Sequence, residues 1–370
     1  MATTTAATGL TVQQWDDMFF SEYMQLGTFK PLMGTTEQSV IQIKEDLTKK
    51  QGDSITIALV NKLKNNATTG STSLEGNEED LASRSMRIYV DKRRHAVVVS
   101  EIEEQKSSFS LRNAARPRLL DWAQEDTRDL LIDALGSLNG TNFYASTMTD
   151  TIANAWLVDN ADRVVFGAAS AGFTDMSTDL ALLDTTADLF NVTALDAMIL
   201  KAKTASPKIR PMKDPGNGKR YYVAFAHPAA FKNLRDSMDT EVLAITNIQD
   251  QGAKLFEGGD LMWNGVIIKE VDDMPVYANL GASSTTEVTP VYLCGAQALA
   301  IAYARRWKTI EDVRDYGDKV GVAVDGIYGV RKVIFGSDAA SDTGDLKDHG
   351  VVTGYFATTN AATVTIAGTV

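Results

Sequence analysis

The sequence predicts an α+β protein with a long projecting β-hairpin, and three observations predict it. Two strand-like stretches, DSITIALVNKL and SMRIYVDKRRHAVVVSEI, flank the polar, glycine-bearing run NNATTGSTSLEGNEEDLAS. From Pro117 to Leu138, apolar residues recur at helical spacing. Between residues 220 and 335 strand patterns dominate, and one helix, HPAAFKNLRDSM, interrupts them.

Residues 1–48 combine a Thr/Ala-rich lead, an amphipathic stretch VQQWDDMFFSEYMQL that predicts a helix, and a mixed segment broken by Pro31 and Gly34. They read as an extended arm. In the hairpin, isoleucine and leucine alternate with polar residues, the period of a half-buried strand. Two strands alone are marginal in water, and a long polar tip buries nothing of its own. The hairpin is therefore expected to lie against a neighbour. In the helix, Leu119, Trp122, Ala123, Leu130, Leu131, Ala134, Leu135 and Leu138 share a face, Pro117 suits a first turn, and Asn139-Gly140 suits a stop. Such a helix is about 33 Å long at 1.5 Å per residue. Residues 141–190, rich in Thr, Ala and Asp, give no clear element. NVTALDAMILKAKTASP predicts a helix with Thr193 and Asp196 at capping-box spacing, and Pro228 opens the next one. RYYVAFA, GVIIKEV, VTPVYLCG, ALAIAYARRW and GVAVDGIYGVRKVIF predict strands, and residues 336–370 a small, polar tail without a helix.

A chain of 370 residues predicts two subdomains. Its one cysteine, Cys294, excludes an intramolecular disulfide and reads as a small core hydrophobe. The start, MATTTAATGLTVQQWDD, lacks the basic and apolar regions of a secretory signal, and no apolar run is long enough to span a membrane. The expectation is a cytoplasm-like compartment and no membrane partner. A formal net charge of −12 argues against extended nucleic-acid binding. It suits a wall that encloses DNA without gluing to it.

Catalytic chemistry is hard to find. His95, His227 and His349 are isolated from one another and form no metal-ligand motif, so structural roles are expected, with no metal and no cofactor. DPGNGKRY lacks the spacing and hydroxyl of a phosphate loop, and LFEGGDLMWNG follows no clear strand. The neighbouring acids Glu103-Glu104 and Asp272-Asp273 read as solvated surface. No catalytic residue is assigned.

The order of these pieces, with GDSITIALVNKL, SLEGNEEDL, YVDKRRHAVVVS, LLIDALGSLNG, IRPM, YYVAFAHPAAFKNLR and MWNGVIIKE, resembles the major capsid proteins of tailed bacteriophages, in the short podovirus-type subfamily of the HK97 shell fold. The resemblance spans about residues 50–275. It implies an N-terminal arm (1–48), an E-loop hairpin (49–106), a peripheral domain with a spine helix and an insertion near 141–190 (107–219), an axial domain (220–305), a return to the peripheral domain (306–335) and a tail (336–370). The function implied is self-assembly into hexamers and pentamers of an icosahedral shell around double-stranded DNA. Implied partners are copies of itself, a separate scaffolding protein, a portal protein, DNA enclosed without sequence-specific contacts, and room for a decoration protein. The implied location is the virion, assembled in the bacterial host cytoplasm. Two other readings stand beside it: an encapsulin-like nanocompartment shell, and a cytoplasmic α+β enzyme with a dispersed site.

One stretch bears on assembly directly. Lys92, Arg93 and Arg94 precede an apolar run, and Glu101, Glu103 and Glu104 follow it. These charges either pair between neighbouring copies and set register, or are a solvated strand end. A single exposed pair contributes only ~0–1 kcal/mol, so apolar contact must supply most of the affinity. Lys49, Lys50, Lys62 and Lys64 lie near or in the hairpin. They give no ground to expect the Lys–Asn cross-link known in some members of the fold.

Overall fold

A computed structural model describes residues 27–48, 52–60, 63, 65–79, 83–107, 110–169, 171–213, 218–238, 256–257, 260–336 and 346–358. The helix expected within residues 12–26 and the lysines Lys49, Lys50, Lys62 and Lys64 lie outside them. The main strands are β1 (Ile41–Lys44), β2 (Ser54–Val60), β3 (Ser83–Tyr89), β4 (Asp91–Ser100), β5 (Val164–Phe166), β6 (Arg220–Ala226), β7 (Asp260–Trp263), β8 (Val266–Glu270), β9 (Glu287–Cys294), β10 (Leu299–Arg314), β11 (Lys319–Lys332) and β12 (Val351–Thr358). The helices are α1 (Glu101–Lys106), α2 (Leu111–Leu135), α3 (Asp150–Asp159), α4 (Met176–Leu180), α5 (Val192–Thr204) and α6 (Pro228–Ser237).

The chain divides into two compact units, with boundaries within β4, α2, β10 and β11. The smaller contains residues 92–126 and 306–326. Its core is Leu119 and Ala123 of α2 against Val322 and Val324 of β11, with Val97, Trp122 and Trp307 packed around them.

The larger unit is built on a sheet in the order β7-β8-β6-β9-β12-β5. Both faces are covered. On one, Leu195, Met198 and Ile199 of α5 and Phe231 and Leu234 of α6 pack against Val291, Leu293 and Phe356. On the other, Trp156 and Leu157 of α3 and Leu180 of α4 pack against Phe166, Val288 and Tyr355. Neighbours Tyr355 and Phe356 thus serve opposite cores, as strand alternation requires. Pro290 is tolerated inside β9 because its backbone, like that of Val288 which bonds Tyr277, faces away from β12, on a side where β6 pairs only with Tyr292, Leu293 and Cys294 and no donor is required of it.

The hairpin expected from sequence is present: β2 and β3 pair antiparallel from Ser54↔Tyr89 to Val60↔Ser83. Ile55, Met86 and Ile88 join a cluster with Ala300, Ala302, Val333, Ile334 and Phe335. Residues 65–78 between the strands are all exposed.

Several expectations are corrected. The stretch read as one strand, 85–102, is two strands and a helix. It breaks at Val90; β3 pairs with β2 while β4 is the edge neighbour of β11, and Glu101 begins α1. At the break the Tyr89 carbonyl approaches Gly329 so closely that a Cβ there would collide with it. The long helix starts at Leu111, with Pro117 inside it. Ser110 caps it, its Oγ accepting from the Asn113 N–H at 3.4 Å. Asn139-Gly140 is not a helix stop: with φ of 49° and 82° it is the turn of a hairpin joining Ser137–Leu138 to Thr141–Asn142. Helix α5 is capped by Asn191, whose Oδ1 accepts from Ala194 N–H at 2.8 Å, rather than by Thr193 and Asp196. Asp196 instead faces Trp263 Nε1 and Asn264 Nδ2, each at 3.4 Å.

Two stretches left without structure in the sequence are core. Residues 141–190 carry α3, β5 and α4, held by carboxylates that accept from backbone amides. Asp179 takes Gly172 and Phe173, each at 2.8 Å, and Asp188 takes Ala168 at 2.7 Å and Asp184 at 3.0 Å. Within the expected tail, β12 is wholly buried. It pairs antiparallel with β9 over eight residues and parallel with β5.

Candidate inter-subunit contact sites

The six charged candidates all fall in the smaller unit, but not on one strand. Lys92, Arg93 and Arg94 begin β4, while Glu101, Glu103 and Glu104 form the first turn of α1 after the N-cap Ser100. Carboxylates there meet the positive end of the helix dipole, a local reason for three acids in sequence.

The subunit already uses most of these charges. Lys92 Nζ lies 3.4 Å from Oδ2 of the buried Asp325. Arg93 Nη1 donates to Asp126 Oδ1 at 2.6 Å, tying β4 to α2. Glu103 accepts from Lys106 at 3.1 Å, and Glu104 from Ser110 Oγ at 2.9 Å. The Glu101 N–H donates to Asp318 O at 2.8 Å. Arg94 is exposed, as is the Glu101 side chain. Arg116 pairs with Glu311, and Trp122 packs against His95 in a tilted ring pair, centres 4.8 Å apart.

Sequence reasoning missed the hairpin tip between β10 and β11. Asp315, Tyr316 and Gly317 all have positive φ, at 55°, 53° and 105°, and Tyr316 is wholly exposed. The available signal was the Asp-Tyr-Gly-Asp punctuation within an otherwise strand-like run. Beside it, Val97, Val98, Val99, Ser100, Glu103, Leu111 and Lys319 line an open groove.

The titratable groups of the larger unit hold structure. His227 caps α6, its Nδ1 accepting from Ala229 N–H at 3.1 Å, and burial lowers its pKa despite Asp272 nearby. His349 sits edge-on to Phe335. Burial, with Arg163 and Arg210 adding to it, lowers its pKa to about 4. Burial pushes the Cys294 thiol well up. Lys332 Nζ and Asp348 Oδ2 form a wholly buried pair at 2.7 Å. Trp156 Nε1 also donates to Asp348 Oδ2, at 3.2 Å, and Asn160 Oδ1 accepts from the Asp348 N–H at 2.9 Å. Arg163 donates to the Asp348 and Pro207 carbonyls. Among the described residues no cluster of His, Cys, Asp and Glu is arranged to hold a metal ion.

A family model described as phage capsid protein matches residues 3–359. The major capsid protein of Pseudomonas phage KPP25 is 26% identical, over 93% of this chain and 94% of that one. Among solved structures, a chain of the Cyanophage Pam1 capsid asymmetric unit superposes with a TM-score of 0.82 at 29% identity, covering 98% of this chain and 100% of that one. A chain of the Ralstonia phage GP4 capsid gives a TM-score of 0.76 at 21% identity, with coverage of 98% and 100%.

Proposed function

The chain belongs to the phage capsid protein family, and from that premise we propose that its copies assemble into hexamers and pentamers of an icosahedral shell enclosing double-stranded DNA. It is a major capsid protein with the HK97-like shell fold, a structural protein of the virion and not an enzyme. The observation that carries this is the likeness to a phage capsid chain over nearly the whole length at a TM-score of 0.82. The likenesses are to phage capsids and give the nanocompartment and enzyme readings no support.

In the proposed shell the hairpin β2–β3 is the E-loop. Its exposed tip crosses an adjacent subunit, which supplies the cover the subunit itself does not. Helix α2 is the spine, residues 220–305 build the axial domain, and 306–335 return to the peripheral domain. Arg94 and Glu101, whose side chains face solvent, take over the register contact, since Lys92, Arg93, Glu103 and Glu104 each have a partner within the subunit. Assembly in the host cytoplasm uses a separate scaffolding protein and a portal protein, and a decoration protein has room outside. The net charge of −12 lets packaged DNA lie against the wall without specific contacts.

The test is electron microscopy of the purified protein across a concentration series, with hydrogen exchange on the hairpin. Uniform closed polyhedra, with residues 65–79 protected only in particles, are expected. A chain that stays a monomer or small oligomer at every concentration, with the hairpin tip already protected, sinks the reading.

A further inference from the structure

Deepening the shell reading, and resting on it, we propose that Tyr316 at the β10–β11 tip is an anchor that inserts into the Val97–Lys319 groove of a second copy of this chain. Three features of the smaller unit lead there. Among its described residues the core cluster is small: four buried apolar side chains, Leu119, Ala123, Val322 and Val324, with Val99 and Ala115 buried outside it. Its surface is apolar out of proportion. Of the thirteen large apolar side chains that stand exposed among the described residues, six belong to it: Val98, Ile102, Leu120, Ile310, Val313 and Tyr316. A body with so little core gains from burying such surface against a neighbour.

The tip itself is the second feature. An L-residue in the left-handed region costs on the order of 1 kcal/mol, and here two non-glycine residues adopt it in succession, at φ 55° and 53°. Asp315 is held by its pair with Lys319, but the Tyr316 ring lies fully in solvent and no contact with the described residues repays its share. Meanwhile the charges beside it are neutralised locally, Arg314 on Asp312 at 2.8 Å and Lys319 on Asp315 at 2.9 Å. What the tip offers a partner is therefore an aromatic ring with a hydroxyl on a firmly turned hairpin.

The groove is the third. Val97, Val98, Val99 and Leu111 supply apolar walls for a ring, and Ser100 and Glu103 supply acceptors for a phenol hydroxyl. Lys319, only three residues beyond Tyr316, lines the same groove, yet Tyr316 does not occupy it. We infer that the ring that enters belongs to another copy. Tip and groove are different surfaces, so the contact is head to tail and closes into rings where the rotation permits. One tyrosine buries roughly 150–250 Å², far below the ~1,200 Å² of a stable pairwise interface. Such a contact cannot hold an isolated dimer and belongs in an assembly where many act together.

A paired variant, Tyr316→Cys with Val98→Cys, tests the geometry, because the one native cysteine, Cys294, is buried. Assembled shells treated with a short bis-maleimide should give covalent ladders on denaturing gels, and either single variant should not. Shells that assemble without ladders overturn the tip contact while leaving the shell reading intact. Failure of the wild-type chain to form shells overturns both. Should the paired variant not assemble, Tyr316→Ala decides. It is expected to melt like wild type as a subunit and to need about tenfold more protein to assemble. An unchanged threshold overturns the proposal.

Discussion

At the scale of single residues, the most consequential group is the buried Lys332–Asp348 pair. Removing one partner strands a charge in the core, so Lys332→Ala and Asp348→Ala should each cost about 3–5 kcal/mol in chemical denaturation, whereas the double replacement Lys332→Met, Asp348→Leu should cost much less than their sum. His349 gives a pH signature. Its folded pKa is lowered from 6.5 to about 4, so the unfolded chain binds its proton first as pH falls. The stabilisation from keeping it neutral is complete above about pH 6.5 and is lost on descending to about pH 4, a span worth on the order of 3 kcal/mol. Melting curves between pH 7 and pH 4 should show this fall, and His349→Gln should flatten it.

Elements show what was legible in the sequence and what was not. The hairpin strands, α6 opened by Pro228, and strands β6, β8 and β9 are readable because each carries its own periodicity or breaker. Chain breaks set from a distance are not. At the division of β3 from β4 the Tyr89 carbonyl packs onto Gly329, where a side chain would leave no room, an approach between residues far apart in sequence. Gly329→Ala should displace that junction and lower the melting temperature sharply, while the exposed Gly172→Ala, whose nearest neighbours stand at ordinary contact distance, should not. Strand β12 hid for another reason. VVTGYFAT is buried on both faces, so it lacks the alternation that marks a half-exposed strand. Residues 141–190 give no clear element in the sequence because Asp179 and Asp188, polar there, are buried acceptors for backbone amides. Of the candidate contact residues, position was legible but partnership was not, because Asp126 and Asp325 are brought to Arg93 and Lys92 only by the fold.

For the whole molecule, charge and order of synthesis matter most. Each subunit carries a formal charge of −12, so copies repel at long range while apolar contacts and the tyrosine anchor act at short range. Screening shortens that repulsion to about 8 Å at physiological ionic strength, and assembly followed by light scattering should accelerate as salt rises from low values. If it slows instead, intersubunit ion pairs rather than apolar contacts dominate. The position of β12 has a temporal consequence. Strand β5, at residues 164–166, and strand β9, ending at residue 294, are joined only by a strand completed at residue 358. A nascent chain therefore keeps a gap in its main sheet until translation has passed Thr358, so a half-made polypeptide on the ribosome lacks the finished body that a growing particle would recruit. Chains truncated before Val351 should accumulate as insoluble material rather than poison particles, which fractionation of lysates would reveal.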